Sequence, residues 1–193
     1  MYSASSAGNS PSAQLSPYLR SGELLLWSAR PDPAVRYTGA DAYLIAFSIM
    51  WAGFALFWES AVLSSGGPVF FKLWGIPFVA IGLYIVFGRF LLKSQRKLRT
   101  AYGITKQRAL VATSGLSVAD MPLKSTPTEI SKSRDGRHAS AVFGQESGWR
   151  MSSMYGNTGM EFFARGRTRA FVFYDVANPQ DLLSALDQAN TAR

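Results

Sequence analysis

The sequence predicts a membrane α-helical hairpin joined to an all-β domain of about seven antiparallel strands that a C-terminal helix caps. Two long apolar segments follow each other between residues 41 and 92. After residue 100, short apolar or β-branched runs alternate with turn residues, which is typical of a meander of strands. An amphipathic segment that begins with a proline follows the last of these runs. A length of 193 residues fits one such domain with an appendage.

The composition excludes most classes of catalytic and metal site. The chain has no cysteine and a single histidine, which leaves no thiolate ligand, no cysteine nucleophile and no histidine pair for zinc. His138 follows a polar turn and is expected to be a solvated loop residue. An enzymatic interpretation would need folding to bring together the scattered acids Glu129, Glu146 and Glu161. We therefore predict that the protein is not an enzyme and has no catalytic residue, metal or cofactor.

The first 40 residues divide into two predicted segments. Residues 1–18 consist mostly of Ser, Ala, Gly, Asn, Gln and Pro, a composition that buries too little apolar surface to offset the entropy of ordering. We expect a disordered N-terminal tail there, and no secretory signal, because no Lys or Arg precedes Arg20. Residues 19–40 are expected to form a pre-membrane segment in the cytoplasm.

Two transmembrane helices are predicted over residues 41–63 and 68–92. The first run has no charge between Asp41 and Glu59, and the second has only Lys72 and Arg89, near its two ends. Long side chains at such positions reach the lipid headgroups. The Ser-Ser-Gly-Gly turn at 64–67 permits only an antiparallel hairpin. A core hairpin of a soluble domain is the alternative.

The distribution of basic residues predicts the membrane topology. Seven Lys and Arg residues and no acid lie between Arg89 and Arg108, whereas the hairpin turn has no charge. Because basic residues are retained on the cytoplasmic side of a membrane, both termini are expected in the cytoplasm.

Residues 93–193 are predicted to form the cytoplasmic β domain. Strands are expected near 102–104, 109–113, 116–121, 128–133, 139–143, 159–164 and 169–174. The closing helix has Asn178 as its N-cap, Pro179 in its first turn and Asp181 near the positive end of its dipole. This order is that of a pleckstrin-homology-like (PH-like) barrel, and a small sandwich is the alternative.

Several segments, taken in order, resemble one protein family. They are GELLLWSARPD at 22–32, GIPFVAIGLYIVFGRF at 75–90, YGITKQRALV at 102–111, and a late aromatic stretch followed by the Pro-led helix. The chain after Leu19 resembles bacterial two-helix membrane proteins with a PH-like domain. The resemblance implies a multi-pass protein of the bacterial inner (cytoplasmic) membrane with a cytoplasmic barrel, and it implies no catalytic residues.

A basic face beside the membrane is the candidate site for lipid headgroups or phosphate. Each such charge contributes about 1 kcal/mol near an anionic surface, but the same charges also orient a membrane hairpin. Thr105 and Arg108 have a structural interpretation as well, because a hydroxyl and a guanidinium can fix the turn between two strands. The candidate residues are Lys93, Arg96, Lys97, Arg99, Lys106 and Arg108.

Candidate partner surfaces lie elsewhere. Arg30 and Asp32 flank Pro31 in a predicted fixed turn, which either docks this segment onto the barrel or binds a partner. A basic hairpin tip is the second surface, although exposed tips are commonly charged for solubility; its residues are Arg165, Arg167 and Arg169.

Glu59 and Lys72 both lie near the turn end of the hairpin. An interhelical ion pair between them is expected, because pairing lowers the cost of placing either charge near hydrocarbon.

The sequence as a whole predicts a membrane-anchored PH-like binding or scaffold module, or an accessory subunit of a membrane protein complex, without catalytic activity. Its expected partners are the lipid bilayer and either a membrane protein or a second copy of the chain. Nucleic acid is not an expected partner, despite the net charge of +8. The alternative function is the binding of anionic lipid headgroups by the membrane-proximal basic face.

Overall fold

The computed structural model describes residues 10–35, 37, 39–66, 68–114, 117–124, 126–144, 157–158 and 171–191. Two compact units divide the chain. The sheet unit takes its described residues from Met1–Val35, Gln95–Ser152 and Arg167–Arg193, and the hairpin unit takes its own from Arg36–Ser94 and Ser153–Gly166.

Two antiparallel sheets form most of the sheet unit. Their strands are β1 (Leu25–Ala29), β2 (Thr100–Thr105), β3 (Arg108–Thr113), β4 (Ser117–Pro122), β5 (Thr128–Lys132), β6 (His138–Phe143) and β7 (Phe171–Ala177). One sheet has the order β1-β2-β3-β4 and the other the order β5-β6-β7. A single closed barrel was the expectation, whereas the described strands form two separate sheets. An isolated bridge from Pro31 to Val176 links the segment after β1 to β7.

The helices are α1 (Pro11–Leu15), α2 (Gly39–Ser64), α3 (Val69–Leu83), α4 (Arg89–Arg99) and α5 (Pro179–Thr191). The C-terminal helix is therefore confirmed as α5. Its buried residues Leu182, Ala185, Leu186 and Ala189 follow the spacing of one helical face.

The core of the sheet unit lies between these sheets and α5. Buried side chains from β2, β6, β7 and α5 belong to one apolar cluster. Its centre is aromatic: the rings of Tyr102 and Phe173 stack with centroids 4.5 Å apart, and Phe143 meets Phe173 edge to face at 4.9 Å. Such aromatic pairs stabilise a core beyond the area that they bury.

The segment before β1 is ordered from Ser10 onward, contrary to the disorder expected over residues 1–18. The Ser10 side chain accepts a hydrogen bond from the Ala13 amide at 3.1 Å, and Pro11 opens α1. Leu15 is fully buried against Ala101, Leu110 and Ala112. One apolar side chain with a complementary site is enough to dock this short helix, and composition alone does not reveal such a site. Residues 1–9 lie outside the described part of the chain.

Gly103 of β2 provides the site for Leu15. A Cβ at position 103 would lie 2.7 Å from Leu15 Cδ1 and 2.9 Å from Leu25 Cδ1. Both leucines therefore occupy space that any larger residue in β2 would fill.

β1 is a strand that the sequence pattern did not predict within the segment 19–40. It pairs with β2, and Ala29 lies opposite Tyr102, so its partner follows the whole hairpin in the sequence. The predicted strands near 102–104, 109–113, 116–121, 128–133 and 139–143 correspond to β2 through β6, and the last predicted strand corresponds to β7. The strand predicted at 159–164 lies outside the described residues.

The hairpin unit consists mainly of α2 and α3. A π-helical turn at Tyr84–Gly88 follows α3 and leads directly into α4, so the helical segment extends seven residues beyond the predicted end at residue 92. α2 begins two residues before the predicted start at 41. A Cβ on Gly82 would lie 3.3 Å from Ala52 Cα, so small residues bring the two helices close together, as in many membrane helix pairs.

Both long helices are capable of crossing a membrane by length and composition. Asp41–Ser64 has 24 residues with a mean hydropathy of 1.5, and Val69–Arg99 has 31 residues with a mean hydropathy of 2.0. Only 11% and 17% of their most apolar stretches are buried within the structure. Phe57, Phe70 and Phe87 are each largely exposed. These helices therefore differ from the core helices of a soluble protein, which bury such side chains.

We predict that Leu15→Ala lowers the free energy of unfolding of the sheet unit by about 2–4 kcal/mol, because it leaves a cavity above Gly103. Denaturation of the purified protein, monitored by near-UV circular dichroism, measures this loss. Leu24→Ala is the matched control, since Leu24 is 70% exposed and its truncation should change stability by less than about 0.5 kcal/mol. Equal effects of the two substitutions would contradict the docked position of α1.

Candidate functional site

Buried basic side chains in the described part of the chain form three ionic clusters. The Arg108 cluster contains Glu23, Thr105, Arg108 and Asp120, and the Lys97 cluster contains Asp32, Lys97, His138 and Asp175. The Arg89 cluster, in the hairpin unit, contains Asp41, Arg89 and Lys93.

The Arg108 cluster joins the segment before β1 to the turn between β2 and β3. Arg108 donates from Nε to Glu23 Oε1 at 2.9 Å and from Nη2 to Glu23 Oε2 at 2.7 Å. It also donates to the Tyr18 carbonyl at 2.9 Å, and Nη1 lies 3.1 Å from Asp120 Oδ2. Thr105 Oγ1 donates to Glu23 Oε1 at 2.8 Å and accepts the Arg108 amide at 3.1 Å. The two-oxygen geometry makes this a strong pair.

These contacts decide the role of Arg108 and Thr105. The side-chain hydrogen bond from Arg108 is the largest cause that lowers the pKa of Glu23 to about 2. The same bond raises the pKa of Arg108. These contacts favour the structural interpretation of Thr105 and Arg108, and they leave Arg108 little capacity to bind a lipid headgroup.

Lys97 of α4 is buried in the second cluster. Its Nζ donates to Asp175 Oδ2 at 2.6 Å, to the Val35 carbonyl at 2.7 Å and to the Asp32 carbonyl at 3.0 Å. An ammonium has three donors, so Lys97 is fully satisfied inside the sheet unit. Lys97 was one of the candidate lipid contacts, but its side chain is buried and therefore not accessible to a lipid headgroup.

The turn formed by Arg30, Pro31 and Asp32 docks onto the sheet unit. Arg30 Nη1 donates to the Leu98 carbonyl at 2.8 Å and to the Thr100 carbonyl at 3.3 Å. The Asp32 amide donates to the Asp175 carbonyl at 2.9 Å. Of the two interpretations of this turn, docking is the one that these contacts support.

His138 is not a solvated loop residue, because it opens β6 and its Nε2 lies 2.9 Å from Asp32 Oδ2. Burial by itself would raise the pKa of Asp32, but the hydrogen bonds to His138 and to the Ala34 amide outweigh burial and hold that pKa below its ordinary value. The only histidine of the chain thus fixes the turn.

The third cluster lies at the start of α2 and the start of α4. Arg89 Nη1 is 2.6 Å from Asp41 Oδ1, and Lys93 Nζ is 3.1 Å from Asp41 Oδ2. All three residues are buried. Lys93, another candidate lipid contact, is therefore an interior residue. Intramembrane or interfacial charges commonly face the protein interior in this way.

Glu59 and Lys72 do not form the predicted ion pair in the described structure. The Glu59 carboxylate instead lies against Gly75, where a Cβ would approach Oε2 to 1.5 Å. This Oε2 is buried and has no hydrogen-bond partner. The absence of a side chain at Gly75 thus leaves room for the Glu59 carboxylate.

Three of the six candidate lipid contacts retain accessible surface. Arg99 and Lys106 are exposed and Arg96 is half-buried. Arg99 ends α4 and Lys106 follows β2, so the length of a strand, about 20 Å, separates them. The partner surface at Arg165, Arg167 and Arg169 lies outside the described residues.

An open groove lies beside β5 in the sheet unit. It has a volume of about 550 Å³ and runs between the β4–β5 connection and α5. Ile130, Leu183 and Leu186 supply its apolar lining, while Lys124 and Asp187 supply charges of opposite sign. β5 is an edge strand, because β6 is its only neighbour among the described strands.

The outward backbone groups of β5 follow from its register. The Ser133 amide donates to the His138 carbonyl and the Gly144 amide to the Pro127 carbonyl. Bonded pairs alternate along an antiparallel ladder, so Glu129 and Ser131 share hydrogen bonds with β6. The amides and carbonyls of Thr128, Ile130 and Lys132 therefore point away from β6, and no described strand receives them.

Several site residues had no signal that sequence reasoning could use. Asp41 marked a span boundary and Arg89 a headgroup position, but their pairing depends on the packing of the hairpin. Asp175 lies within an apolar strand and adopts a φ of 50°, which is rare for a residue other than glycine. Glu23 was visible only as part of a motif.

No protein-family model, curated protein or solved structure matches the chain. Within the described ranges, no group of three or more His, Cys, Asp or Glu residues is placed to hold a metal ion.

We predict that the Glu23–Arg108 pair makes stability depend on pH in acid. Its contribution of about 2–3 kcal/mol is fully present above pH 4.5, the ordinary pKa of a glutamate, and is lost as the pH falls towards about 2. Glu23→Gln should therefore be less stable than the wild type at pH 7, and the difference should narrow between pH 4.5 and 2. Unfolding free energies measured across this range provide the comparison.

Glu129→Gln is the control for this titration, because Glu129 is exposed and should give nearly the same stability as the wild type at each pH. A difference between wild type and Glu23→Gln that stays constant with pH would refute the pairing.

Proposed function

We propose that the protein is a membrane-anchored, non-catalytic binding module that holds an extended segment of a membrane-protein partner. It serves as a scaffold or as an accessory subunit of a membrane complex. The observation that carries this proposal is the groove beside β5, where an edge strand with unpaired backbone groups lies next to an apolar helix face.

The exposed apolar surface of the hairpin supports the membrane anchor. Large side chains such as Phe54, Trp74 and Leu91 are more than half exposed, and hydrocarbon is the environment in which such surfaces are stable. The basic segment after the second helix favours cytoplasmic termini. A bacterial inner-membrane location accords with this arrangement and remains part of the proposal.

The strand order supports a PH-like module. Four antiparallel strands, three further antiparallel strands and a C-terminal helix follow one another along the chain. In this interpretation the membrane hairpin is an insertion between the first and second strands of the module. The proposed resemblance to bacterial two-helix PH-like membrane proteins rests on this order and on the motifs of the sequence.

The chemistry of the groove favours an extended peptide as its occupant. The outward amides and carbonyls at Thr128, Ile130 and Lys132 repeat along one edge, which is the pattern that an added strand satisfies. Alternate side chains of such a strand would reach Leu183 and Leu186 on α5. Lys124 and Asp187 offer one charge of each sign, so the groove suits a segment of mixed or neutral charge.

Headgroup binding by an exposed basic face is the weaker alternative. Lys93, Lys97 and Arg108 are satisfied by internal partners. Of the six candidate residues, only Arg96, Arg99 and Lys106 remain accessible on this face. Arg99 and Lys106 are separated by the length of a strand, so they do not form one compact headgroup site.

We predict that Thr128→Pro combined with Lys132→Pro abolishes partner binding, because proline removes the outward N–H donors without touching the bonds to β6. Thr128→Ala with Lys132→Ala is the matched control, since it retains both donors. The measurement is photo-crosslinking from a benzoylphenylalanine at Leu183 in native membranes, followed by peptide sequencing of the product.

The expected result is one membrane protein, crosslinked through a single extended segment in the wild type and in the alanine control but not in the proline variant. Crosslinking to a second copy of the chain would identify a homo-oligomer. Equal products from the alanine and proline variants would contradict the added-strand mode.

We predict that the hairpin turn and the sheet unit lie on opposite sides of the membrane. Labelling of single introduced cysteines tests this topology, and the signal comes from one site only because the chain has no native cysteine. In spheroplasts of a bacterial host, a membrane-impermeant maleimide should label Ser65→Cys in the hairpin turn. It should label Arg134→Cys, an exposed position of the sheet unit, only after lysis. Labelling of both cysteines in intact spheroplasts would contradict a membrane-spanning hairpin.

A further inference from the structure

Arg89 is fully buried, yet two of its three guanidinium nitrogens have no acceptor. Nη1 donates to Asp41 Oδ1 at 2.6 Å, whereas Nε and Nη2 are buried and have no hydrogen-bond partner. Leaving a buried charged donor unsatisfied costs more than the average hydrogen bond contributes. The two free nitrogens lie on one edge of the group, so a single ligand can engage both.

Within the described contacts of the Arg89 cluster, two basic side chains share one carboxylate. Arg89 and Lys93 carry two positive charges, and Asp41 carries one negative charge. Both oxygens of Asp41 are already engaged, Oδ1 by Arg89 and Oδ2 by Lys93. Arg89 also contacts the ring of Phe90, whose centroid lies 4.2 Å from Cζ, and a ring only weakly compensates a buried cation.

We propose that the Nε–Nη2 edge of Arg89 binds a phosphate group, contributed by a phospholipid headgroup or by free phosphate. A guanidinium presents two parallel N–H groups that match two oxygens of a phosphate. A phosphate there would accept from both nitrogens that lack a partner and would place negative charge beside a buried guanidinium. Neither the groove beside β5 nor the exposed Arg99 takes part in this site.

The position of Arg89 favours the lipid as the source. It lies near the end of the apolar run of the second long helix, and the basic residues Lys93 and Arg96 follow that run on α4. This is the change from apolar to basic sequence that occurs at headgroup depth.

The first arm of the test measures bound phospholipid. The full-length protein is extracted in mild detergent, washed extensively with lipid-free detergent and assayed for phosphorus and for lipid by mass spectrometry. The wild type should retain an equimolar amount of phospholipid. Arg89→Lys keeps the positive charge but lacks the planar pair of parallel N–H groups that matches two phosphate oxygens. This variant should therefore lose the bound lipid. Arg99→Lys is the matched control and should retain it.

The second arm tests free phosphate. Protein stripped of lipid is heated in increasing inorganic phosphate, with chloride at equal ionic strength as the reference. If free phosphate is the ligand, the wild type retains no lipid but its Tm rises with phosphate. For the same rise in Tm, Arg89→Lys should then need a phosphate concentration at least about ten times higher than the wild type needs.

The proposal is overturned if the wild type neither retains phospholipid nor gains stability from phosphate, or if Arg89→Lys behaves like the wild type in both arms. Should Arg89→Lys fail to fold, the wild-type measurements still decide, because a chain without either response has no such site. Failure of the β5 crosslinking experiment has no bearing on these outcomes.

Discussion

Antiparallel pairing of β1 with β2 is the constraint on which the rest of the structure depends. The chain leaves the first sheet at Ala29 and returns to the same edge at Thr100. Two neighbouring strands lie about 4.8 Å apart, so the intervening chain must end almost where it began. An even number of helices of similar length, joined by a tight turn, meets that requirement. α2 and the helix from Val69 to Arg99 form such a pair, and their small residues Ala52 and Gly82 permit the close approach.

Internal neutralisation of basic side chains is the second organising feature. A chain with eight more positive than negative charges invites an interpretation as a polyanion binder, but several of those charges are structural. Arg108 joins the segment around Glu23 to the β2–β3 turn, and Lys97 joins the turn at Asp32 to β7. Each pair connects parts of the chain that are far apart in sequence, so charge here fixes tertiary structure, and little of the basic surface expected beside the membrane remains.

The sequence predicted what depends on local pattern. Runs of apolar residues predicted both helices of the hairpin, and short apolar or β-branched runs separated by turn residues predicted β2 to β7. β1 was missed because LLWSA becomes a strand only by pairing with residues beyond the hairpin. Leu15 was missed because composition does not show that Gly103 leaves room for it. Lys93 and Lys97 were wrongly expected to face lipid headgroups. The carboxylates that pair with them, Asp41 and Asp175, lie dozens of residues away in the sequence.

The placement of the long helices between β1 and β2 also fixes an order of events during synthesis. β1 leaves the ribosome before both helices, whereas the strand that completes it leaves after them. Until the helices are in place, β1 and the docking residue Leu15 have no surface to bind, and closing so long a loop costs conformational entropy. Completion of the first sheet therefore requires that both helices have been synthesised, and a chain whose synthesis stalls between them would expose an unpaired apolar strand to proteases and chaperones.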